Sequence, residues 1–399
     1  MVRTTRIQRR EGGGQKRHFR LQLVVIASWS GDQGAMTCLQ LATERSSVTK
    51  TPQGASVPSP IPGQSATVAF VVPYFDDGLA WRRECLRLTL ASLEQQTDPH
   101  WCAYVVNDAS PAADTSEFLK SLAASTVGQV TVLHTQDHGG AGRARNVAIE
   151  AAHRDGHALL AYLDADDLAH PRRVAAVRAM FAAQPELDFA YSDIEFIDEH
   201  GKPWESNQLL PGLHLLNEQQ RLPKLRGRER WIEQAVERDN IAIPSAMNLR
   251  TSLALQIPFP IVPFCEDVAT LFRYLGSGAV IDHVPGIPTR YRVPRTGGSA
   301  SRKQSGGVDA FNHLRCANER EGLEKAIAMA VARGAASERL GQSVLCRYLI
   351  RIGRTVTADG SPELGRSQLR QAQELDPETF AQYATAVESR ETGAAAMVP

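Results

Sequence analysis

The chain has 399 residues, enough for more than one folded unit with a sizeable core. Its 44 Lys and Arg residues balance its 44 Asp and Glu residues, so no overall field attracts nucleic acid or an anionic membrane. No apolar run reaches the ~20 residues that a membrane-spanning helix needs. The six cysteines are scattered without a C-x-x-C pair, which favours reduced thiols in a cytosolic protein over a disulfide framework.

The sequence predicts a disordered or flexible N-terminal segment at residues 1–66. A basic region up to Arg20 precedes a short apolar stretch at 21–27, which is at the lower length limit for a signal peptide and lacks a clear cleavage site. We therefore expect disorder, or a start codon assigned too early, with Met36 as the true start. Residues 46–66 are rich in Ser, Pro, Gly and Thr, which is typical of a flexible lead-in.

From Thr67 onward, strand patterns alternate with helical patterns. Continuous apolar runs predict buried strands, and apolar residues three or four positions apart predict helices. Short strands separated by such helices indicate a mostly parallel sheet with flanking helices, an α/β fold. The predicted strands are 68–72, 101–106, 130–133, 158–163, 189–192 and 279–281, and the predicted helices are 80–96, 114–125, 143–153, 171–183 and 268–275.

Polar residues gather where the first four predicted strands end. In open sheets of this kind, ligands bind beyond the carboxyl ends of the strands. Turn formation explains Asn107 and Asp108 well, but it does not explain why the whole set falls on one edge. The set comprises Asp76, Asp77, Asp108, His138 and Asp164 to Asp167.

Three carboxylates, Asp164, Asp166 and Asp167, directly follow the strand at 158–163. Carboxylates this close raise one another's pKa unless a cation lies between them. Mg²⁺ is commonly held by one or two carboxylates together with substrate phosphates. The cluster therefore predicts a metal site that binds a phosphorylated substrate. The structural alternative, that Asp166 or Asp167 caps a helix starting near Pro171, is about equally favoured by this segment alone.

The pattern after residue 200 is less regular. Residues 200–240 are polar and predict an insertion or lid beside the site. Glu266 and Asp267 precede a predicted helix, where the helix dipole favours acids, so capping is the structural alternative to a chemical role. The basic, glycine-containing segment 290–299 suits phosphate binding, although taken alone a solvated loop is the favoured interpretation.

Residues 306–399 predict a helical C-terminal region with a flexible tail. The segment 369–377 is similar to half of a tetratricopeptide repeat, but a solenoid needs about three stacked units. We therefore expect a helical appendage, which leaves self-association into a homo-oligomer open.

Taken together, residues 67–300 resemble the family 2 glycosyltransferases with the GT-A fold, which include bacterial polysaccharide and teichoic acid sugar transferases. The order and spacing of the motifs are specific, although each motif alone is weak. The motifs are Val71 to Tyr74, Val105 to Ser110, Gly140, Ala144 to Asn146, Leu163 to Asp167 and the pair Glu266 and Asp267. The resemblance implies a Rossmann-like GT-A domain over 67–305.

This resemblance also implies roles for individual residues. Asp267 matches the catalytic base, with Glu266 beside it in the acceptor site. Asp166 matches the direct metal ligand, and Asp164 lies nearer the ribose or donor sugar while contributing to the metal site. Substrate contacts are implied for Pro73, Tyr74, Asp108, His138, Arg145, Asp164, Arg292, Arg295 and Ser299.

Among these contacts, Asp108 would accept a hydrogen bond from the base, and Arg292, Arg295 and Ser299 would close over the diphosphate. The chain departs from the pattern where Asn107 replaces a frequent acid, where His138 replaces a common Asn, and at Arg295, where some members have His. These departures concern the nucleotide more than the chemistry.

The function implied by the resemblance is transfer of a sugar from a nucleotide-sugar donor, with a UDP-sugar favoured, to a hydroxyl of a glycan or a secondary-metabolite acceptor. Mg²⁺ or Mn²⁺ and arginines would offset the charge on the leaving diphosphate. Asp267 would deprotonate the acceptor. A single displacement inverts the anomeric carbon, and no second carboxylate is required as a covalent nucleophile.

Two alternatives remain open. A nucleotidyltransferase usually carries a basic, glycine-rich loop after its first strand, whereas residues 73–78 are acidic. A non-catalytic scaffold that binds a partner through its C-terminal helices is disfavoured because Asp166 and Asp267 are both retained. A cytoplasmic location is expected, and the basic N-terminus leaves open a peripheral contact with the inner face of the membrane.

Overall fold

The computed structural model describes residues 66–209, 211–295 and 304–383. Residues 1–65 and 384–399 lie outside this part of the chain. The predictions of a flexible N-terminal segment, of a start at Met36 and of a flexible tail fall on them.

Strands and helices alternate along the described residues. The strands are β1 (Val68–Tyr74), β2 (Trp101–Asn107), β3 (Gln129–His134), β4 (Leu159–Tyr162), β5 (Phe189–Tyr191), β6 (Ile194–Ile197), β7 (Met247–Arg250), β8 (Ile281–His283) and β9 (Thr289–Arg292). The helices are α1 (Ala80–Glu94), α2 (Thr115–Ser125), α3 (Gly140–Arg154), α4 (Arg173–Ala183), α5 (Pro211–Arg221), α6 (Trp231–Val236), α7 (Thr251–Gln256), α8 (Glu266–Gly276), α9 (Val308–Ala332), α10 (Glu338–Ala358) and α11 (Pro362–Leu375). None of these helices is both long enough and apolar enough to cross a membrane.

Seven strands form one sheet in the order β3-β2-β1-β4-β7-β5-β8. The central strand β1 is parallel to both of its neighbours, and the pairs β2–β3 and β5–β8 are also parallel. The short strand β7 runs antiparallel to β4 and β5, between which it lies. β6 and β9 form a separate parallel pair. The predicted α/β class, with a mostly parallel sheet and flanking helices, is confirmed.

β1 is buried because helices cover both faces of the sheet. Val68, Phe70 and Val72 contribute to a core formed with α1, α2 and α4, whereas Ala69 and Val71 contribute to a core formed with α3, α7 and α8. Successive side chains of a strand point to opposite faces, so a strand covered on both sides has a continuous apolar sequence. This arrangement explains why the sequence located β1 well.

The C-terminal helices share the core on the α8 side of the sheet. Leu323 and Ala326 of α9 and Leu349 of α10 lie in one buried cluster with Val71 of β1 and Leu271 of α8, and none of the five side chains is exposed. The predicted helical C-terminal region is therefore confirmed. The structure adds that these helices pack against α8, one of the helices that cover the sheet.

Residues 200–240, whose irregular pattern predicted an insertion or lid, contain the helices α5 and α6. Their role as a lid stays a prediction. Trp231 and Ala235 of α6 are buried in the same cluster as the C-terminal helices. The sequence did not reveal α6 because this helix is only six residues long. Such a helix is too short to show a clear apolar period.

Candidate active site

A cavity of about 1040 Å³ opens at the carboxyl ends of β1, β2 and β4. It lies on the edge of the sheet where the sequence predicted a ligand site. The predicted site residues that line it are Pro73, Tyr74, Asp108, His138, Arg145, Asp164, Asp166, Glu266 and Asp267. Asp166 and Asp267 thus face one shared cavity, although they are far apart in the sequence.

Asp108 shapes the loop that leads into α3. Its carboxylate accepts hydrogen bonds from the backbone N–H groups of Gly139, at 3.1 Å, and Gly140, at 2.7 Å, and from the Thr135 hydroxyl at 2.9 Å. The His138 ring lies 2.9 Å from the same carboxylate. Asp108 is only 2% exposed, so its main observed role is to fold this loop. Its contact with a nucleotide base stays a prediction.

Arg145 joins two acidic parts of the site. Its Nη1 donates to Oε1 of Glu266 and its Nη2 donates to Oδ1 of Asp164, both at 2.7 Å. The guanidinium is nearly buried and lies over the Phe259 ring, 5.1 Å from its centroid. Burial alone would lower the pKa of Arg145, but the carboxylates of Asp164 and Glu266 raise it. A charged arginine therefore ties the turn after β4 to the first turn of α8.

The beginning of α3 also supports the proline-rich loop before α8. The Asn146 side chain makes two hydrogen bonds to the backbone of Phe259, each 2.9 Å long. A Cβ atom at Gly142 would lie 2.7 Å from the carbonyl oxygen of Pro260, closer than real contacts allow. Gly142 and Asn146 allow this close approach, which no local sequence pattern predicts.

The acid cluster after β4 faces the cavity through Asp166. Burial, and then the charge of Asp164, raises the pKa of Asp166 to about 6. Burial and the charges of its neighbours also raise the pKa of Asp167, whose Oδ1 accepts from the Arg292 backbone N–H at 2.8 Å. The capping interpretation is wrong, because α4 begins at Arg173 and no side chain caps it.

This cluster fits the divalent cation that the family resemblance implies. Crowded carboxylates with raised pKa values are stabilised by a cation, and Asp166 opens into a cavity with room for more oxygen ligands. A cation bound by Asp166 would take its other ligands from substrate oxygens and water, as Mg²⁺ commonly does. The side chains do not provide a complete ligand set by themselves: within the described ranges, no three or more His, Cys, Asp or Glu residues form a group that could hold a metal ion.

Arg292 and Arg295 are not among the residues that line the cavity. Arg292 ends β9, is 4% exposed, and donates from Nε to the carbonyl oxygen of Asp166 at 2.7 Å. Arg295 pairs with Asp198 at 2.9 Å and lies over the Trp204 ring. The predicted contact of these arginines with a diphosphate is therefore not prepared in this structure. Ser299, the third member of that set, lies outside the described residues.

Asp267 lies in the first turn of α8, which begins two residues earlier than predicted. Burial, and then the charge of Glu266, raises its pKa to about 7. Cys265, directly before the helix, has a positive φ of 61°, which is uncommon for a residue other than glycine. Backbone of this kind persists only where its surroundings determine it, and it often occurs at functional sites.

A second buried arginine, Arg173, supports the turn after β4 that carries Asp164 and Asp166. The sequence did not single it out. Arg173 is fully buried and donates to the carbonyl oxygens of Ser245, Tyr162 and Met247 at 2.6, 3.0 and 2.9 Å. Ser245 in turn accepts from the backbone N–H of Asp164 at 2.9 Å. Arg173 begins α4 and has the sequence setting of an ordinary surface arginine, so no local signal marked it.

The sheet, the acidic turn after β4 and the cavity define an α/β domain with a candidate ligand site at its strand ends. Residues 70–243 match the family described as "Glycosyl transferase family 2". This part of the chain is therefore similar to the family 2 glycosyltransferases. The match ends before Glu266 and Asp267, whose roles are implied only by the family resemblance.

One curated relative is the O-antigen biosynthesis protein RfbC of Myxococcus xanthus, which is 33% identical over 134 residues. These residues are 34% of this chain and 10% of that protein, so the match spans about a tenth of the relative's length.

Two solved structures are similar over most of the chain. They are S. aureus TarS 1–349 in complex with UDP-GlcNAc and the mannosyltransferase PcManGT from Pyrobaculum calidifontis in complex with GDP-Man and Mn²⁺. Each is 16% identical, with TM-scores of 0.48 and 0.47. The first likeness covers 82% of this chain and 92% of the other, and the second covers 84% of each.

Proposed function

We propose that this protein is an inverting, metal-dependent glycosyltransferase that moves a sugar from a nucleotide-sugar donor to a glycan hydroxyl. The proposal rests chiefly on one observation: Asp166 and Asp267 face the same cavity. The family 2 domain supports the donor class, and the name of the M. xanthus relative, an O-antigen biosynthesis protein, supports a glycan acceptor. A UDP-sugar is the first donor to test.

In this proposal, Asp166, with Asp164 beside it, would hold Mg²⁺ or Mn²⁺ against the donor's diphosphate. The bound cation would offset the negative charge of the departing nucleoside diphosphate. Pro73, Tyr74 and His138 border the part of the cavity at the ends of β1 and β2, where we place the nucleoside.

Asp267 would accept the proton of the attacking acceptor hydroxyl. Its raised pKa suits a general base that works near neutral pH, since catalysis is best when the pKa of the base lies close to the working pH. The adjacent Glu266 is paired with Arg145 and helps to hold this turn in place. Because one base assists one attack, the displacement is single and inverts the anomeric carbon.

Two substitutions test this function. Asp267→Asn keeps the shape of the side chain but removes the base, so donor binding should be retained while turnover falls by ~10²–10⁴-fold. Asp166→Ala should abolish metal-dependent nucleotide binding, measured by calorimetry with and without Mn²⁺. Asp137→Asn, at an exposed acid that does not line the cavity, is the control and should behave as wild type.

A panel of UDP-, GDP-, CDP- and dTDP-sugars, read by thermal shift and by release of nucleoside diphosphate, identifies the donor. Full turnover by Asp267→Asn would contradict its role as the base. If the wild-type protein binds nucleotides but releases no diphosphate from any donor, a non-catalytic scaffold is favoured. Release of pyrophosphate from a nucleoside triphosphate and a sugar phosphate would instead indicate a nucleotidyltransferase.

A further inference from the structure

Helix α9 holds the residue that precedes the turn carrying Asp267. The side-chain Nδ2 of Asn318 in α9 donates to the carbonyl oxygen of Phe264 at 2.8 Å. The Phe264 ring also meets the Phe311 ring of α9, with centroids 6.2 Å apart in an edge-on arrangement. Phe264 is thus held twice by α9, once through its backbone and once through its ring.

This attachment matters because of the backbone that follows it. Cys265 adopts left-handed φ and ψ angles of 61° and 23°, and α8 starts at the next residue without a side-chain cap. A left-handed residue without a glycine's freedom is disfavoured, so neighbouring contacts must stabilise it. The bond from Asn318 fixes the peptide group on one side of Cys265, and the helix fixes the other side. The orientation of the Asp267 side chain depends on both of these constraints.

Asn318 can do this because α9 lies unusually close to α8. Asn318, Gly322 and Ala326 are spaced four residues apart and therefore share one face of α9. A Cβ atom at Gly322 would lie 2.5 Å from the Cα of Ala269, and a Cβ atom at Gly276 would lie equally close to Ala326. Contact at both points leaves α9 little freedom to slide along α8.

Buried charges also hold α9 in place. Arg315 pairs with Asp239 and, at 2.7 Å, with Glu319, and Glu319 also accepts from the Tyr348 hydroxyl of α10 at 3.3 Å. Arg351 of α10 reaches Asp239 at 3.2 Å. Breaking such a buried network would leave charges without partners, which is strongly unfavourable. The position of Asn318 is therefore set by the C-terminal helices.

We propose that Asn318 is a positioning residue for Asp267, and that the C-terminal helices thereby complete the active site. This inference rests on the proposed function. It assigns a catalytic purpose to a region beyond the part of the chain that matches the family, which ends at residue 243.

The test compares three variants of the full-length chain. Asn318→Ala removes the amide, and Asn318→Asp keeps the shape but replaces the donor with an acceptor that repels the Phe264 carbonyl. The matched control is Asn312→Ala. Asn312 is a fully buried asparagine of the same helix, but its Nδ2 donates to Ser361 Oγ at 3.1 Å, away from α8.

Both Asn318 variants should lower kcat by ~10–100-fold, because small displacements of a catalytic group are costly, while the donor KM stays within about twofold. Amide hydrogen exchange over residues 264–270 should become faster in both variants, and this readout does not require activity. Asn312→Ala should lower the melting temperature without changing kcat or exchange in that segment. If Asn318→Ala does not fold, the isosteric Asn318→Asp carries the comparison.

The inference is overturned if the Asn318 variants keep wild-type kcat and exchange, or if they lose no more activity than Asn312→Ala. It also fails if kcat and the donor KM change together, since that would indicate a general loss of structure. Failure of the proposed function looks different: there the wild-type protein itself would transfer no sugar, and Asp267→Asn would change nothing.

Discussion

Arg145 is the residue on which the geometry of the site depends most directly. It pairs both with Asp164 in the turn after β4 and with Glu266 at the start of α8. The sequence predicted a basic residue near a nucleotide, from the motif Ala144 to Asn146. Its pairing with Glu266, 121 positions away, could not be predicted, because no local pattern encodes a contact between such distant segments.

The position of the acidic residues after β4 could be predicted from the sequence. Asp164 to Asp167 directly follow an apolar strand, and the strand's direction determines the edge of the sheet on which they lie. The family resemblance singled out Asp164 and Asp166, and both line the cavity. Asp167 instead turns inward and accepts a hydrogen bond from the backbone N–H of Arg292, which no local pattern predicts. The difference arises from the fold of the turn and from β9, far along the chain.

The pKa of Asp267 gives a pH prediction. A base must be ionised to act, and burial raises the pKa of this carboxyl to about 7. We therefore expect kcat to rise about tenfold per pH unit below pH 7 and to level off above it. The measurement is kcat at saturating donor and acceptor between pH 5 and 9. A flat profile across pH 7 would contradict the role of Asp267.

The same shift has a consequence for stability with a definite sign. The ordinary pKa of this carboxyl is 3.8, and in the folded state it is about 7. Between these two pH values, the folded state binds the Asp267 proton more tightly than the unfolded state does. This group therefore reduces the free energy of unfolding as the pH rises through that window. Asp267→Asn removes the effect, so above pH 7 this variant should melt at or above the wild-type temperature.

At the scale of elements, the packing of α8 against α9 gives a second prediction. Gly322→Ala should lower the free energy of unfolding by about 1–3 kcal/mol, because its Cβ would lie 2.5 Å from the Cα of Ala269, a backbone atom that cannot move aside. Denaturant unfolding measures this change. Glu321→Ala, at a neighbouring exposed residue paired with Lys325, is the control and should change stability by less than about 0.5 kcal/mol. Equal stability of both variants would contradict the close packing.

The sequence located long, strongly patterned elements and missed short ones. α1 and β2 were predicted nearly to the residue because continuous or periodic apolar patterns mark them. β7 has four residues and was hidden in an apolar stretch, and its antiparallel position between β4 and β5 depends on pairing partners that no local pattern names.

At the scale of the whole molecule, the described residues share their cores across the sheet and the C-terminal helices. Leu323, Leu349 and Val71 belong to one buried cluster, although the sequence suggested an appendage after residue 305. We therefore expect a single cooperative unfolding transition, with coincident curves from far-UV circular dichroism and tryptophan fluorescence. An early helical transition without a change in fluorescence would contradict this shared core.

The strand order has one more consequence, for how the protein is made. β7 follows β5 in the chain but lies between β4 and β5 in the sheet, so β5 and β8 cannot join the sheet until residues 247–250 have been synthesised. At roughly 5–20 residues per second, Asp267 leaves the ribosome about 5–20 s after Asp166. During that interval the nascent chain carries an acid cluster without Glu266, the far partner of Arg145. The candidate site is therefore assembled late, after translation has passed residues 70–243, which match the family.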